Sequence, residues 1–355
     1  MKSIIDVPPS LPTPGGTPGR KIASSLILQP VAVQVRQVVI DENAAGQRLD
    51  NFLIKCLKGV PKTHIYRLIR SGEVRVNKGR AQADTRLEIG QIIRIPPVRV
   101  AQRADPPCKL SLNAKAAVWK IDTVFEDDWF MVLNKPAGVA VHGGSGVSLG
   151  VIEQLRLLRS ECKFLELVHR LDKETSGLLM VAKKRSALLG LQDQLRQRQT
   201  GKIYLAMVRG TWPKQHKVID LMLYKYLTTE GERRVRVVTD ATSEGQRSIS
   251  VVRVLQPFAE FSLLEVTIKT GRTHQIRVHL ASQGYPIVGD DKYGDFTHNK
   301  AMARGEIVPK CRFTRMFLHA HQLQITHPHS GVVQQFEAAL PLDCQHLVDV
   351  LTLRL

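Results

Sequence analysis

The sequence predicts a two-domain chain in which helices and strands both occur, on three observations. Its 355 residues suit two domains and leave ample chain for a sizeable core. Leu49, Phe52, Leu53 and Cys56 recur at helical spacing, as do Ala187, Leu188, Leu191 and Leu195 further on. Between these stretches, apolar runs at 165–168 and 178–182 enclose a polar loop, which fits two strands with a tight connection better than one helix.

Taken in order, residues 1–47 are expected to be a flexible tail. Pro8, Pro9, Pro12, Pro14 and Pro18, with Gly15, Gly16 and Gly19, cannot hold regular structure, and little there could form a core. The first helix then starts after Arg48 and closes at Gly59; Ile65, Leu68 and Ile69 mark a second, from Pro61 to Gly72. Residues 73–80 alternate as a strand and turn at 77–79. Leu87, Ile89, Ile92, Ile93 and Ile95 complete a small sheet before Pro96 and Pro97.

Residues 98–118 have Pro106, Pro107 and no apolar period, and read as a linker; the second domain spans 119–355. A strand over 124–133, with Glu126, Asp127 and Asp128 as a turn, is broken by Asn134, Lys135, Pro136, Ala137 and Gly138. The glycine-rich loop at 141–146 matches neither GxGxxG nor GxxxxGK[ST], so no nucleotide cofactor is expected. Ser186 can cap the helix that holds Ala187, with Gly201 just past its end. A strand over 202–208 puts Tyr204 on one face with Ala206 and Val208. Strands over 249–255 and 261–268 lead to a helix capped by Thr273 and ended by Gly284.

The net charge of +19 says nothing about fold but favours polyanionic partners, nucleic acid first and anionic membrane second. Between Arg48 and Arg99 there are 12 Lys/Arg against 4 Asp/Glu, a net of +8. Lys55, Lys58, Lys62, Arg67 and Arg70 can therefore line the exposed side of the helix pair, although such a run is usually a solvated face. No stretch has the apolar length to span a bilayer, and 22–35, which contains Gln29 and Pro30, is rejected as a signal sequence. The five cysteines (Cys56, Cys108, Cys162, Cys311, Cys344) form neither a disulfide framework nor a zinc spacing, which suits the cytoplasm. His319 with His321, and His327 with His329, suggest a metal, but no acidic ligand sits nearby and none is expected.

The polar loop carries His169, Arg170 and Asp172, then Thr175, Ser176 and Gly177. A carboxylate beside an arginine, held between buried strands, can have its pKa and orientation controlled. Taken by itself, the cluster reads as a surface ion pair on a hairpin. Longer phrases alter that reading. HRLDKETSG (169–177), KIYLA (202–206) and TGRTHQIRVHL (270–280) resemble three motifs of the RluA family of pseudouridine synthases. GDDKYG (289–294) and LHAHQLQITHP (318–328) are similar to further phrases of that family. RLDNFL (48–53) and IYRLIRSGEVRVNKGR (65–80) resemble the small RNA-binding module first named for ribosomal protein S4.

The resemblance implies an α+β fold: a mixed, mostly antiparallel central sheet with flanking helices, plus a small N-terminal α+β RNA-binding module at 48–97. It implies an isomerase that breaks the N1–C1′ bond of uridine, rotates the uracil and rejoins it through C5, with no cofactor and no metal. Asp172 would be the catalytic aspartate and Arg277 its salt-bridge partner. Tyr204 would face the uracil and stack on it, with help in removing the C5 proton as a further role. Arg170 would occupy or brace the space left by the flipped base, whose extrusion costs a few kcal/mol. LKGVPK, IPPVRVA and AVHGGSG look most like family members that modify large-subunit ribosomal RNA, so 23S rRNA or its precursor is the expected partner of a monomer without membrane contact. A non-catalytic ribosome-assembly factor would not need Asp172, Tyr204 and Arg277 together. A hydrolase pairing His169 or His142 with an acid lacks a nucleophile-elbow serine.

Overall fold

The computed structural model describes residues 34–57, 59–98, 121–143, 149–239 and 245–354. Most of the expected tail, Lys58, most of the expected linker, Trp119 and Gly144, Ser145 and Gly146 lie outside the described residues. The chain divides into a smaller unit that includes Arg48–Thr85 and a larger one that includes Ala104–Leu355.

The smaller unit contains strand β1 (Arg36–Val39), helices α1 (Leu49–Cys56) and α2 (Lys62–Arg70), and strands β2 (Arg75–Val76) and β3 (Ile92–Ile95). Its sheet runs β1-β3-β2, all antiparallel. The helical periods bury as expected: Leu49, Phe52 and Leu53 from α1, Ile65, Leu68 and Ile69 from α2. β1 corrects the expectation of a flexible tail up to residue 47, because Arg36 pairs with Ile95 and Val39 with Ile92. The prolines behind that expectation end at Pro18, and the valine-rich run after Val31 has the β-branched side chains that suit a strand. The strand expected over 73–80 is short because Asn77 and Lys78 take positive φ (47° and 67°) and reverse the chain. The Asn77 side chain then accepts the Ile92 amide at 2.8 Å.

The larger unit runs β4 (Asp122–Glu126), β5 (Phe130–Lys135), α3 (Val151–Leu158), β6 (Glu166–Leu167), β7 (Ser176–Ala182), α4 (Arg185–Arg196) and β8 (Gly201–Arg209). β9 (Val218–Leu227), β10 (Arg233–Val238), β11 (Gln246–Pro257), β12 (Phe261–Ile268) and α5 (Gln275–Ser282) follow. The last elements are α6 (Phe296–Arg304), β13 (Leu318–Thr326), β14 (Val333–Glu337) and α7 (Leu342–Thr352). One sheet of 11 strands runs β10-β9-β11-β12-β8-β13-β7-β5-β4, with β14 on β13 and β6 on β7. Its only parallel pair among the described residues is β13 with β7, so the mixed, mostly antiparallel α+β sheet implied by the resemblance is present.

β7 reads as an unbroken apolar run because both its faces are covered. Leu178, Met180 and Ala182 pack with Ala187, Leu188 and Leu191 of α4. Leu179 and Val181 pack with Val151, Ile152 and Leu155 of α3. The strand expected over 124–133 is a hairpin of β4 and β5, since Asp127 Oδ1 accepts the amides of Trp129 (2.7 Å) and Phe130 (2.9 Å) and folds the chain back. α4 starts at Arg185 without a side-chain cap from Ser186, and Gly201 opens β8 instead of closing the helix. Thr273 does not cap α5; His274, at φ 53°, turns the chain into it. The β9–β10 hairpin was not among the expected elements. No helix among the described residues is long and apolar enough to cross a membrane.

Candidate active site

Residues 168–175 connect β6 to β7, as the two apolar runs predict. The far end of this loop is pinned to β13. Gly177 has φ +107°, and a Cβ there would lie 2.3 Å from the Ala320 carbonyl oxygen, so only glycine allows the parallel pairing. Next to it the Ser176 hydroxyl accepts from Arg315 at 2.7 Å and donates to His319 Nδ1 at 2.9 Å. His319 in turn donates from Nε2 to the Ala338 carbonyl at 3.0 Å.

The near side of the loop rests on Lys135, at the end of β5. Its fully buried ammonium donates to the carbonyls of Pro136 (2.8 Å), Val139 (2.9 Å) and Lys173 (3.0 Å). Burial pushes this lysine down to about 7, against the opposing pull of Glu174. His169 turns inward, and its Nε2 accepts the Met180 amide at 3.1 Å. Burial first, and the charge of Lys202 second, push it down to about 4, so it is a neutral structural group. Its Nε2 lone pair is taken by the Met180 amide, which commits that nitrogen to holding the loop.

Asp172 lies at the floor of the loop, its side chain 19% exposed. Arg277 Nη1 stands 3.5 Å from its Oδ2, and His274 Nε2 3.8 Å. The pairing of Asp172 with Arg277 is therefore present, but it is the looser of the contacts that guanidinium makes. Arg277 Nε and Nη2 clasp Asp290 at 2.7 and 2.6 Å, and Nη2 also reaches Asp291 at 2.9 Å. Asp290 is fully buried and accepts the amides of Lys292 (2.8 Å) and Tyr293 (3.0 Å) as well. Burial pushes the Asp290 carboxyl up, and the hydrogen bonds and charge of Arg277 outweigh it, leaving the carboxyl below its ordinary value. For Arg277, burial pulls the pKa down, and Asp290 first, then Asp172, more than restore it, so it stays charged. The GDDKYG turn thus holds Arg277 by two donors and leaves a third facing Asp172.

His274 was not singled out in the sequence. The Tyr293 hydroxyl oxygen accepts a hydrogen bond from the Val235 amide at 2.9 Å and lies 2.8 Å from His274 Nδ1. In the tautomer in which the Tyr293 hydroxyl donates to Nδ1, Nε2 carries the ring proton and directs it at Asp172. Burial lowers the His274 pKa against the pull of Asp172, favouring the neutral ring. Burial likewise raises Tyr293, to about 12, so it remains a phenol.

A cavity of about 120 Å³ is lined by Arg170, Asp172, Tyr204, Thr273, His274 and Arg277, among others. It adjoins a broad cleft of about 1020 Å³ along β9 and β10, with which it shares Arg170, Asp172, His274 and Arg277. Tyr204, on β8, faces the cavity, and burial, with the charge of Asp172 behind it, pushes its phenol well above the ordinary range. Arg170 is exposed at the cavity mouth. The structure thus brings Tyr204 and Arg277, far away in sequence, to the loop that carries Arg170 and Asp172.

In the smaller unit Lys55, Lys62, Arg67 and Arg70 are exposed on α1 and α2, opposite the buried Ile65, Leu68 and Ile69. The C-terminal histidines have other partners: His327 Nε2 lies 2.7 Å from Asp127 Oδ2, and His329 stacks on Trp129. No group of three or more His, Cys, Asp or Glu among the described residues could hold a metal.

The family model described as RNA pseudouridylate synthase matches residues 129–282, and that of the S4 domain matches 47–93. Ribosomal large subunit pseudouridine synthase C of Haemophilus influenzae is 48% identical over 306 residues, covering 86% of this chain and 92% of that protein. The protein of the same name from Escherichia coli (strain K12) is 49% identical over 309 residues, 87% of this chain and 93% of its own length. Among solved structures, human RNA pseudouridylate synthase domain containing 4 superposes with a TM-score of 0.52 at 27% identity, over 65% of this chain and 92% of that one. The chain belongs to the RluA family of pseudouridine synthases.

Proposed function

We propose that this protein isomerises uridines of large-subunit ribosomal RNA, 23S rRNA or its precursor, to pseudouridine, with Asp172 as the essential carboxylate. The observation that carries the reading is Asp172 at the floor of a cavity, faced by a buried arginine and by Tyr204. Names of relatives that cover nearly the whole chain supply the RNA class. The glycosidic bond breaks with an ionised Asp172 acting as nucleophile at C1′ or C6, or as base at the sugar. Arg277 faces that carboxylate at 3.5 Å and orients it. Tyr204 offers its ring to the uracil; a phenol held so far from ionisation suits stacking better than proton removal. Arg170 occupies or braces the space that the extruded base leaves in the RNA, a role its exposed position beside the cavity supports. The module at 48–97 grips phosphates through the exposed cations of α1 and α2, and the domain at 119–355 carries the chemistry. A monomer in the cytoplasm, away from membranes, is the setting this reading implies.

The test is Asp172→Asn in the full chain, assayed for pseudouridine on large-subunit ribosomal RNA. Isomerisation should vanish while RNA affinity holds, because affinity comes from phosphate contacts. Turnover near that of the wild type, or no product from the wild type itself, would refute the assignment.

A further inference from the structure

A third hollow lies beside Tyr204, on the flank away from β9 and β10. It is a groove of about 450 Å³ lined by Arg170, Arg196, Arg198, Lys202, Lys269 and Arg272, together with apolar and neutral residues and no carboxylate. These cations come from four places in the sequence: the β6–β7 loop, the end of α4, the start of β8 and the turn after β12. Only Arg196 has an acidic partner among the described residues, Asp193 on its own helix. Unbalanced positive charge gathered in a concavity repels itself unless an anion enters. Lys202 is half-buried there, and burial alone pulls its pKa down, with no carboxylate to restore it. Gly271 lies against it, for a Cβ on that glycine would be 3.7 Å from the lysine nitrogen. Arg198 is held at the rim with φ 61°, a left-handed conformation that arginine rarely adopts.

The broad cleft on the opposite flank differs. It carries Glu174, Glu232 and Asp291 among its cations, and Glu232 pairs with Arg234 and Lys292 and Asp291 with Arg277, so fewer of its charges are left for a phosphate. The groove shares Arg170 and Tyr204 with the Asp172 cavity, so a strand whose nucleotide occupies the cavity can continue into it. We infer that this groove, through Arg198, Lys202, Lys269 and Arg272, binds the phosphodiester backbone of the RNA strand on one side of the target nucleotide. The inference rests on the RNA isomerase reading above.

The experiment begins by finding a fragment of large-subunit ribosomal RNA on which the full-length wild type forms pseudouridine; failure at this step refutes the isomerase reading. Binding of that fragment is then measured against salt for the wild type, for Arg198→Gln with Lys269→Gln, and for Lys214→Gln with Lys300→Gln as a pair of equal charge change elsewhere. The groove pair should bind at least tenfold more weakly at physiological salt. Its slope of log affinity against log salt should be shallower by about 1.4, at about 0.7 for each single-strand phosphate that is no longer neutralised. Its single-turnover rate at saturating RNA should stay within about twofold of the wild type, and the control pair should resemble the wild type. Neutral methylphosphonate linkages placed on either flank of the target should weaken wild-type binding on one flank only, and should not weaken the groove pair further. Unchanged binding by the groove pair, equal weakening in both pairs, or equal linkage effects in wild type and groove pair would each overturn the assignment.

Discussion

Arg277 and the arginines of α2 carry the same charge in opposite surroundings. Arg277 has a side chain 3% exposed and its donors committed to Asp290, Asp291 and Asp172. Arg67 and Arg70 are exposed on a helix whose other face is the apolar core of the small module. The buried guanidinium is fixed in direction, so it can orient another group; removing it strands charges that water cannot reach. The exposed ones are screened by solvent and salt, so they add affinity that salt can erase, with little say over geometry. One residue type thus serves positioning in one unit and adhesion in the other.

The largest effect that can break this contrast is at Arg277. Arg277→Ala should lose about 3–5 kcal/mol of stability, because Asp290 is left buried without its partner. It should also lose about 10²–10³-fold in single-turnover rate, the usual size for a lost preorganised charge. Arg277→Lys should fall between, since a point charge cannot clasp Asp290 with two donors and face Asp172 with a third. Melting curves and rates on RNA decide the matter; an alanine variant with both unchanged would return Arg277 to the role of a surface ion pair.

A second effect follows from the depressed pKa of Asp290. Because its folded pKa lies below the unfolded one, its contribution is full above the unfolded pKa and is lost as pH falls through the folded value. Wild-type melting temperature should therefore decline in the acid range, and Asp290→Asn should flatten that part of the decline while melting lower at neutral pH. Parallel acid profiles for the two proteins would show that Asp290 contributes nothing to the linkage.

Smaller is the effect expected at the His274–Tyr293 link. His274→Ala should slow single turnover by about tenfold, equivalent to about 1.4 kcal/mol, with RNA affinity intact. His274→Gln should recover part of that, because it restores a donor towards Asp172. A loss confined to affinity would remove His274 from the orientation of the carboxylate. Smallest in the chemical step is the module: Arg67→Gln with Arg70→Gln should leave the saturated rate unchanged and reduce the salt slope by about 1.4. A changed rate at saturation would mean that the exposed arginines act on the chemistry after all.

Much of the fold was legible. The helical spacing of Leu49, Phe52 and Leu53 and of Ile65, Leu68 and Ile69 is the core of the small module, and the two apolar runs around the polar loop are β6 and β7. Boundaries were less so. Thr273 looked like a cap because its hydroxyl suits that place, whereas the chain enters α5 through a left-handed His274 that local propensity disfavours. β9 and β10 were missed because their apolar residues are interleaved with Lys225, Arg233, Arg234 and Arg236, and the signal of a half-exposed hairpin is weak. Lys135 was read only as part of a strand break; nothing in its neighbours in the chain shows that three carbonyls converge on its ammonium.

By itself the sequence determined the class of chain, the polyanionic partner and, through HRLDKETSG, KIYLA and TGRTHQIRVHL, the residues of the candidate site. These depend on short-range patterns: periodicity, net charge and phrases a few residues long. Only the tertiary structure decided that Asp290 is the tight partner of Arg277, with Asp172 at 3.5 Å on its remaining side. It also decided that Tyr293 links His274 to the β9–β10 hairpin, and that cations from four separate segments wall one groove. Distances between side chains depend on how strands far apart in sequence stack in one sheet, and no local pattern records which of several nearby carboxylates a buried guanidinium meets first.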